Sequence, residues 1–155
     1  MLQHSDPLVR SQTVRQMVVL GIREAVLPIS RLLKDPDLQV RRTAGEGLFW
    51  MCVGGLCDDA VVPSLLQALH DKTTRANAVQ TLAYLKTPAG VEPVLAALSE
   101  DIAEDGMGLT NYWEANLQVL NDFLTKDRVK ALLQSYAQQG PVAAQRKAEQ
   151  FLSER

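Results

Sequence analysis

This sequence predicts an all-α fold of stacked helical hairpins, about nine helices in all, and three observations predict it. A short pattern recurs about every thirty residues: SDPLVRSQTVRQMVVL at Ser5–Leu20, KDPDLQVRRTAGEGL at Lys34–Leu48 and HDKTTRANAVQTL at His70–Leu82. Between these copies lie aliphatic segments that each carry an early proline. Aromatic residues make up only 5% of the chain while Ala and Leu are plentiful, a composition suited to helices packed by small and aliphatic side chains.

The elements follow in order from these patterns. The first copy opens on Ser5-Asp6-Pro7 and the second on Lys34-Asp35-Pro36-Asp37. Each offers aspartate to cap free backbone N–H groups and a proline suited to the first helical turn. Asp71 takes the same part in the third copy. Aligned on their arginines, Arg10, Thr13 and Met17 match Arg41, Ala44 and Leu48, and these match Arg75, Ala78 and Leu82. Positions i, i+3 and i+7 share one helix face, so the small residue admits a neighbouring helix and the large one fills the gap. An aspartate at such a helix start can also reach an arginine of the adjacent copy. The expected result is a ladder of Asp6, Arg10, Asp37, Arg41, Asp71 and Arg75 through the stack.

The intervening helices are read from Ala25-Val26-Leu27-Pro28-Ile29, from Ala60 to Leu66 around Pro63, and from Gly90 to Leu95 around Pro93. Proline in a first turn costs little, because its missing N–H would be unpaired there anyway. Past residue 98 the pattern decays. SEDIAEDGMG, Ser99–Gly108, reads as an acidic loop, followed by helices at about Leu109–Leu124, Asp127–Gln138 and, after the breaker Gly140-Pro141, Pro141–Ser153. Residues 1–155 are thus expected to form a single domain, with clear repeats over about 5–98 and degenerate ones over about 109–153.

The order "apolar helix with early Pro, then Asp, Val-Arg, small, Leu" resembles HEAT repeats, especially the short variety of phycobilisome-lyase-type proteins. The likeness is strongest over Leu32-Leu33-Lys34-Asp35-Pro36-Asp37, Val40-Arg41, Ala44 and Leu48. It is fainter at Asp6–Leu20 and at Asp71–Leu82, where Thr74 replaces the valine. The resemblance implies a right-handed α-solenoid whose second helices line a concave, partner-binding side. Helical register then places outward the residues one, five and nine positions after each arginine. These are Ser11, Arg42 and Ala76, continued by Glu114; Arg15, Glu46 and Gln80, continued by Gln118; and Val19, Trp50 and Tyr84, continued by Asp122. From them comes a candidate binding stripe of Arg42, Glu46, Trp50, Gln80, Tyr84 and Gln118, with the Trp, Tyr and Arg that interfaces favour as anchors. Trp50, set in Phe49-Trp50-Met51, also reads as buried core.

The implied function is a non-catalytic scaffold that binds a peptide or partner domain. Two other functions accompany such repeats: a bilin lyase subunit or pigment-protein chaperone, and a DNA glycosylase of HEAT-like fold. Trp50, Trp113 and Asp122 are the only material for the last. The net charge of −2 argues against a nucleic-acid binder. The charge is also segregated: +3 over residues 1–42 (7 basic, 4 acidic), −8 over 43–125 (3 and 11) and +3 over 126–155 (6 and 3). An acidic middle would repel phosphates.

Constellations for catalysis are missing. The two histidines, His4 and His70, lack a neighbouring nucleophile. Cys52, Cys57 and His70 make a poor zinc set, with loose spacing and no fourth ligand. A calcium frame started at Asp101 puts Ala103 and Tyr112 where carboxylates are required. No cofactor or metal is expected. Cys52 and Cys57 could form a disulfide, but their apolar run, Gly47–Cys57, favours reduced buried cysteine. No signal-like start or bilayer-length apolar run occurs, which points to a cytoplasmic protein with no membrane partner. Because the first helix lacks a preceding partner, Leu8, Val9 and Val14 are expected to be partly uncovered. That end would serve a homodimer or a longer array.

Overall fold

A computed structural model describes residues 1–104, 123, 125–139, 145 and 149. It divides into two compact units, Met1–Gly90 and Val91–Arg155. In the first, the three arginine-bearing copies form α1 (Pro7–Val19), α3 (Leu38–Val53) and α5 (Arg75–Leu85). These lie in one row, α1 against α3 and α3 against α5. A second row holds α2 (Val26–Arg31), packed on α3, and α4 (Val62–Ala68), packed on α5. One 3-10 turn, Arg23–Ala25, leads into α2 and another, Asp59–Val61, into α4, so Pro28 and Pro63 both fall in first turns.

The helix starts and stops have local causes. Asp6 accepts a hydrogen bond from the Leu8 N–H at 2.8 Å, and Asp37 accepts one from Val40 at 3.0 Å. Asp71 differs from its expected part: its carboxylate accepts from the Thr73 N–H, and Thr74 stands at the N-cap of α5 without a capping bond, its hydroxyl donating instead to Ala68 O at 2.9 Å. α1 and α3 each close on a left-handed glycine, Gly21 (φ 62°) and Gly55 (φ 73°). There the next N–H reaches back five residues in the manner of a Schellman cap, Ile22 to Met17 O and Leu56 to Met51 O.

The core runs between the two rows. Val14, Ile29, Val40, Ala44, Leu48, Val61, Leu82 and Ala83 have no exposed surface. α3 sits in the middle of its row and meets a neighbour on each side through glycine. A Cβ on Gly47 would stand 2.8 Å from Val18 Cγ2 of α1, and one on Gly45 would stand 2.9 Å from Asn77 Nδ2 of α5. Helix axes can approach this closely only where side-chain bulk is absent.

In the second unit α6 (Val91–Glu104) packs against α7 (Lys126–Gln139), and Arg128 pairs with Glu92. Three corrections to the expected fold follow. Seven α-helices occur among the described residues instead of about nine; the helices expected at about Leu109–Leu124 and Pro141–Ser153 fall largely outside those residues. The acidic loop expected from Ser99 is helical as far as Glu104, because SEDIAE contains no breaker and the first glycine comes only at Gly106. Lastly, Leu8 is exposed as expected, but Val14 is fully buried because Gly47 brings α3 close.

Candidate functional site

Each arginine of the repeat folds back on the turn before its own helix. Arg10 Nη1 donates to the carbonyls of His4 (2.7 Å) and Ser5 (2.9 Å), and Arg41 Nη1 donates to those of Asp35 (2.9 Å) and Pro36 (3.1 Å). Arg75 Nε donates to Leu69 O at 2.7 Å. The shared acceptor is the carbonyl six residues earlier, a position where the chain turns and the backbone would otherwise lack a partner. The guanidinium fork can hold a carbonyl and still have donors to spare.

Those spare donors reach the next copy. Arg10 grips the buried Asp35 with two bonds, Nε to Oδ2 at 2.8 Å and Nη2 to Oδ1 at 2.6 Å. Arg41 Nε lies 2.8 Å from Asp71 Oδ2, but its N–H is not aimed at the oxygen, so the contact is an ion pair without a hydrogen bond. Asp37, the aspartate expected to pair with arginine, instead spends its carboxylate on capping α3, and Asp6 does the same for α1. Asp35, two residues earlier, takes the arginine.

Burial pushes the Asp35 carboxyl toward the neutral form. The Arg10 hydrogen bond, the Asp37 N–H and the charges of Arg10 and Arg41 outweigh it, and the net pKa falls below the ordinary 3.8. The Asp35 hydrogen bond in turn raises the pKa of Arg10. A carboxyl with a depressed folded-state pKa contributes stability that is complete above its unfolded pKa and is lost as pH falls through the folded value. The melting temperature of the wild-type chain is therefore expected to exceed that of Asp35→Asn at neutral pH, with the gap narrowing as pH drops below 3.8. Thermal melts of both proteins across an acid series check this; a gap that is constant with pH would refute it.

The outward stripe is built on the opposite side of the same helices. Arg42, Glu46 and Trp50 of α3 are exposed, Tyr84 of α5 is exposed and Gln80 is half-buried; Gln118 lies outside the described residues, as do Glu114, Asp122 and Trp113. Trp50 keeps 62% of its surface in solvent, so it is not core. Its ring meets the edge of Phe49 at a centroid distance of 5.3 Å. Ser11, expected outward, is buried, with its hydroxyl donating to Leu8 O.

Between α1 and α3 is a depression of about 290 Å³. Val14, Val18 and Gly47 are among its lining residues, as are Arg15 and Val19 from α1 and Thr43, Glu46 and Trp50 from α3. At Gly47 the two helices lie too close for a side chain, since a Cβ there would stand 2.8 Å from Val18 Cγ2. Register on the arginines gave the exposed members; the contribution of Val18 and Gly47 needed the packing distance between two helices.

Cys52 and Cys57 form a disulfide, which corrects the expectation of reduced thiols. The Schellman turn at Gly54-Gly55 brings their Cα atoms to 4.6 Å, within disulfide reach. Among the described residues no group of three His, Cys, Asp or Glu side chains could hold a metal ion, and no helix is long and apolar enough to cross a membrane. Compared with known proteins, residues 1–74 match the family model for HEAT repeats. No curated protein matches the chain.

Proposed function

Because residues 1–74 belong to the HEAT-repeat family, we propose that the protein is a non-catalytic interaction scaffold that takes a peptide or partner domain across the outward faces of its second helices. HEAT repeats commonly serve as protein-interaction scaffolds. In this reading the two rows of helices are the start of a right-handed α-solenoid, residues 1–155 form one array, and the protein works in the cytoplasm. Arg42, Glu46, Trp50, Gln80 and Tyr84 lie along its concave side. The arginines and aspartates between copies set the helix spacing.

One observation carries the proposal: a tryptophan with most of its surface in water stands at the rim of a depression lined by Val14, Val18 and Gly47. Exposing so large an apolar ring gains nothing for folding, whereas buried tryptophan is a frequent source of binding energy. Arg15 and Glu46 line the same depression, and neither has an ion pair among the described residues, leaving their charges to meet a partner's.

Peptides selected from a displayed random library against the whole chain test this. Trp50→Ala is expected to weaken the selected peptides by about 2 kcal/mol, roughly 30-fold. Its stability should change by no more than about 0.5 kcal/mol, as for an ordinary surface residue. Glu46→Ala and Gln80→Ala should weaken binding less. A library that yields no binders, or binders indifferent to Trp50, would reject the proposal.

A further inference from the structure

Both aromatic members of the stripe are tied to a single turn, and that turn carries the disulfide. α3 ends at Val53, and Gly54 N–H donates to Trp50 O at 2.9 Å. Tyr84 Oη, from α5, donates to Val53 O at 3.2 Å. Arg23, in the 3-10 turn before α2, donates through Nη2 to Gly55 O at 2.9 Å. The turn Val53–Cys57 is thus held from the copy before it and the copy after it. The Cys52–Cys57 bond closes it covalently, with Cys52 buried in the core and Cys57 half-buried. Nothing in the scaffold reading uses this bond.

We infer that the Cys52–Cys57 disulfide is a redox switch on the Trp50–Tyr84 face: the closed form holds both aromatics in place, and reduction by a dithiol protein or small dithiol releases the turn that anchors them. The inference rests on the scaffold reading for its biological consequence, but its structural content stands without any partner. The exchange balances. A thiolate of the dithiol attacks Sγ of Cys57, the more accessible sulfur, and the Cys52 sulfur leaves as a thiolate that takes up a proton. The second thiol of the reductant then attacks the mixed disulfide, forms the reductant's own disulfide and frees Cys57 as a thiol. Two electrons and two protons pass to the protein.

Physical chemistry favours local release over general collapse. The closed loop is short and sits at a helix terminus, so opening it returns conformational freedom to the turn while Leu48 and its neighbours in the middle of α3 stay packed. Two glycines, Gly54 and Gly55, give the freed turn more conformations than any other residue would. Tyr84 then loses a fixed acceptor at Val53 O, and Trp50 loses the last backbone bond of its helical turn.

Amide hydrogen exchange on the full chain, oxidised and after excess dithiothreitol, tests the switch, with a Cys52→Ser/Cys57→Ser double variant as a permanently open reference. Expected is exchange about tenfold faster at Gly54, Gly55 and Leu56 in both open forms, with the amides of Val40–Leu48 unchanged. In a Trp113→Phe background, the emission of Trp50 should shift with reduction and return on reoxidation. Three results would overturn the inference: a bond that resists dithiothreitol under native conditions, exchange at the turn that ignores reduction, or unfolding of the whole Met1–Gly90 unit on reduction. The last would make the bond a structural staple. Failure of peptide selection alone would reject the scaffold reading and leave these outcomes untouched.

Discussion

Asp35→Ala is expected to lower the folding free energy by about 3 kcal/mol, far more than removal of any other aspartate in the Met1–Gly90 unit. Three groups depend on this carboxylate: both donors of Arg10 and the Asp37 N–H, which donates to Oδ1 at 2.9 Å. Alanine leaves the Arg10 charge in place with 11% of its side chain exposed and no hydrogen-bonded counter-charge, only the weaker fields of Asp37 and Asp6. The cost sits at the low end for a broken buried pair, because water reaches one edge of the guanidinium and screens it. Asp37→Ala, by contrast, removes one capping bond and should cost about 1 kcal/mol. Asp71 is more exposed, at 35% of its side chain, and its pairing with Arg41 lacks a directed hydrogen bond, so Asp71→Ala belongs with the smaller effect. Urea unfolding of the three variants gives the order. If Asp35→Ala were no worse than Asp37→Ala, the link from one copy to the next would carry no stability.

That contrast also shows what the sequence could and could not reveal. The arginine period, the early prolines and the small-then-large spacing were legible because each is local and occurs three times. Asp35 and Asp37 flank the same proline and look alike in sequence. Which one meets Arg10 is decided 25 residues away, by how α1 lies over the turn. Trp50 was ambiguous in its apolar run, yet helical register resolves it: Gly47, Leu48, Met51 and Cys52 turn inward together and leave Trp50 outside their arc. The run from Ser99 looked like a loop from its charge and the glycines beyond it, but charge does not end a helix and the glycines come too late. The disulfide was open on spacing alone. It needed the positive φ of Gly55, which folds Cys57 back onto the last turn of α3.

Leu48→Ala is expected to cost about 3–4 kcal/mol, while Met17→Ala, at the equivalent place in the first copy, should cost about 1 kcal/mol. Leu48 has no exposed surface and belongs to the helix flanked by both α1 and α5. Removing its isobutyl group forfeits both the transfer free energy and the contacts lining the void. The two glycines that bring α3 against its neighbours make relaxation harder, since those helices are already at their closest approach and cannot move inward to fill the space. Met17 is half-buried, and water can take up part of the space its side chain leaves. In a stack where each copy contacts its neighbours, the same sequence position is therefore worth more where a copy is flanked on two sides. Denaturant unfolding with an unchanged slope would confirm that the two variants differ in stability alone. Equal costs at Leu48 and Met17 would mean that stability does not follow position in the stack, and the nearest-neighbour account of this unit would have to be abandoned.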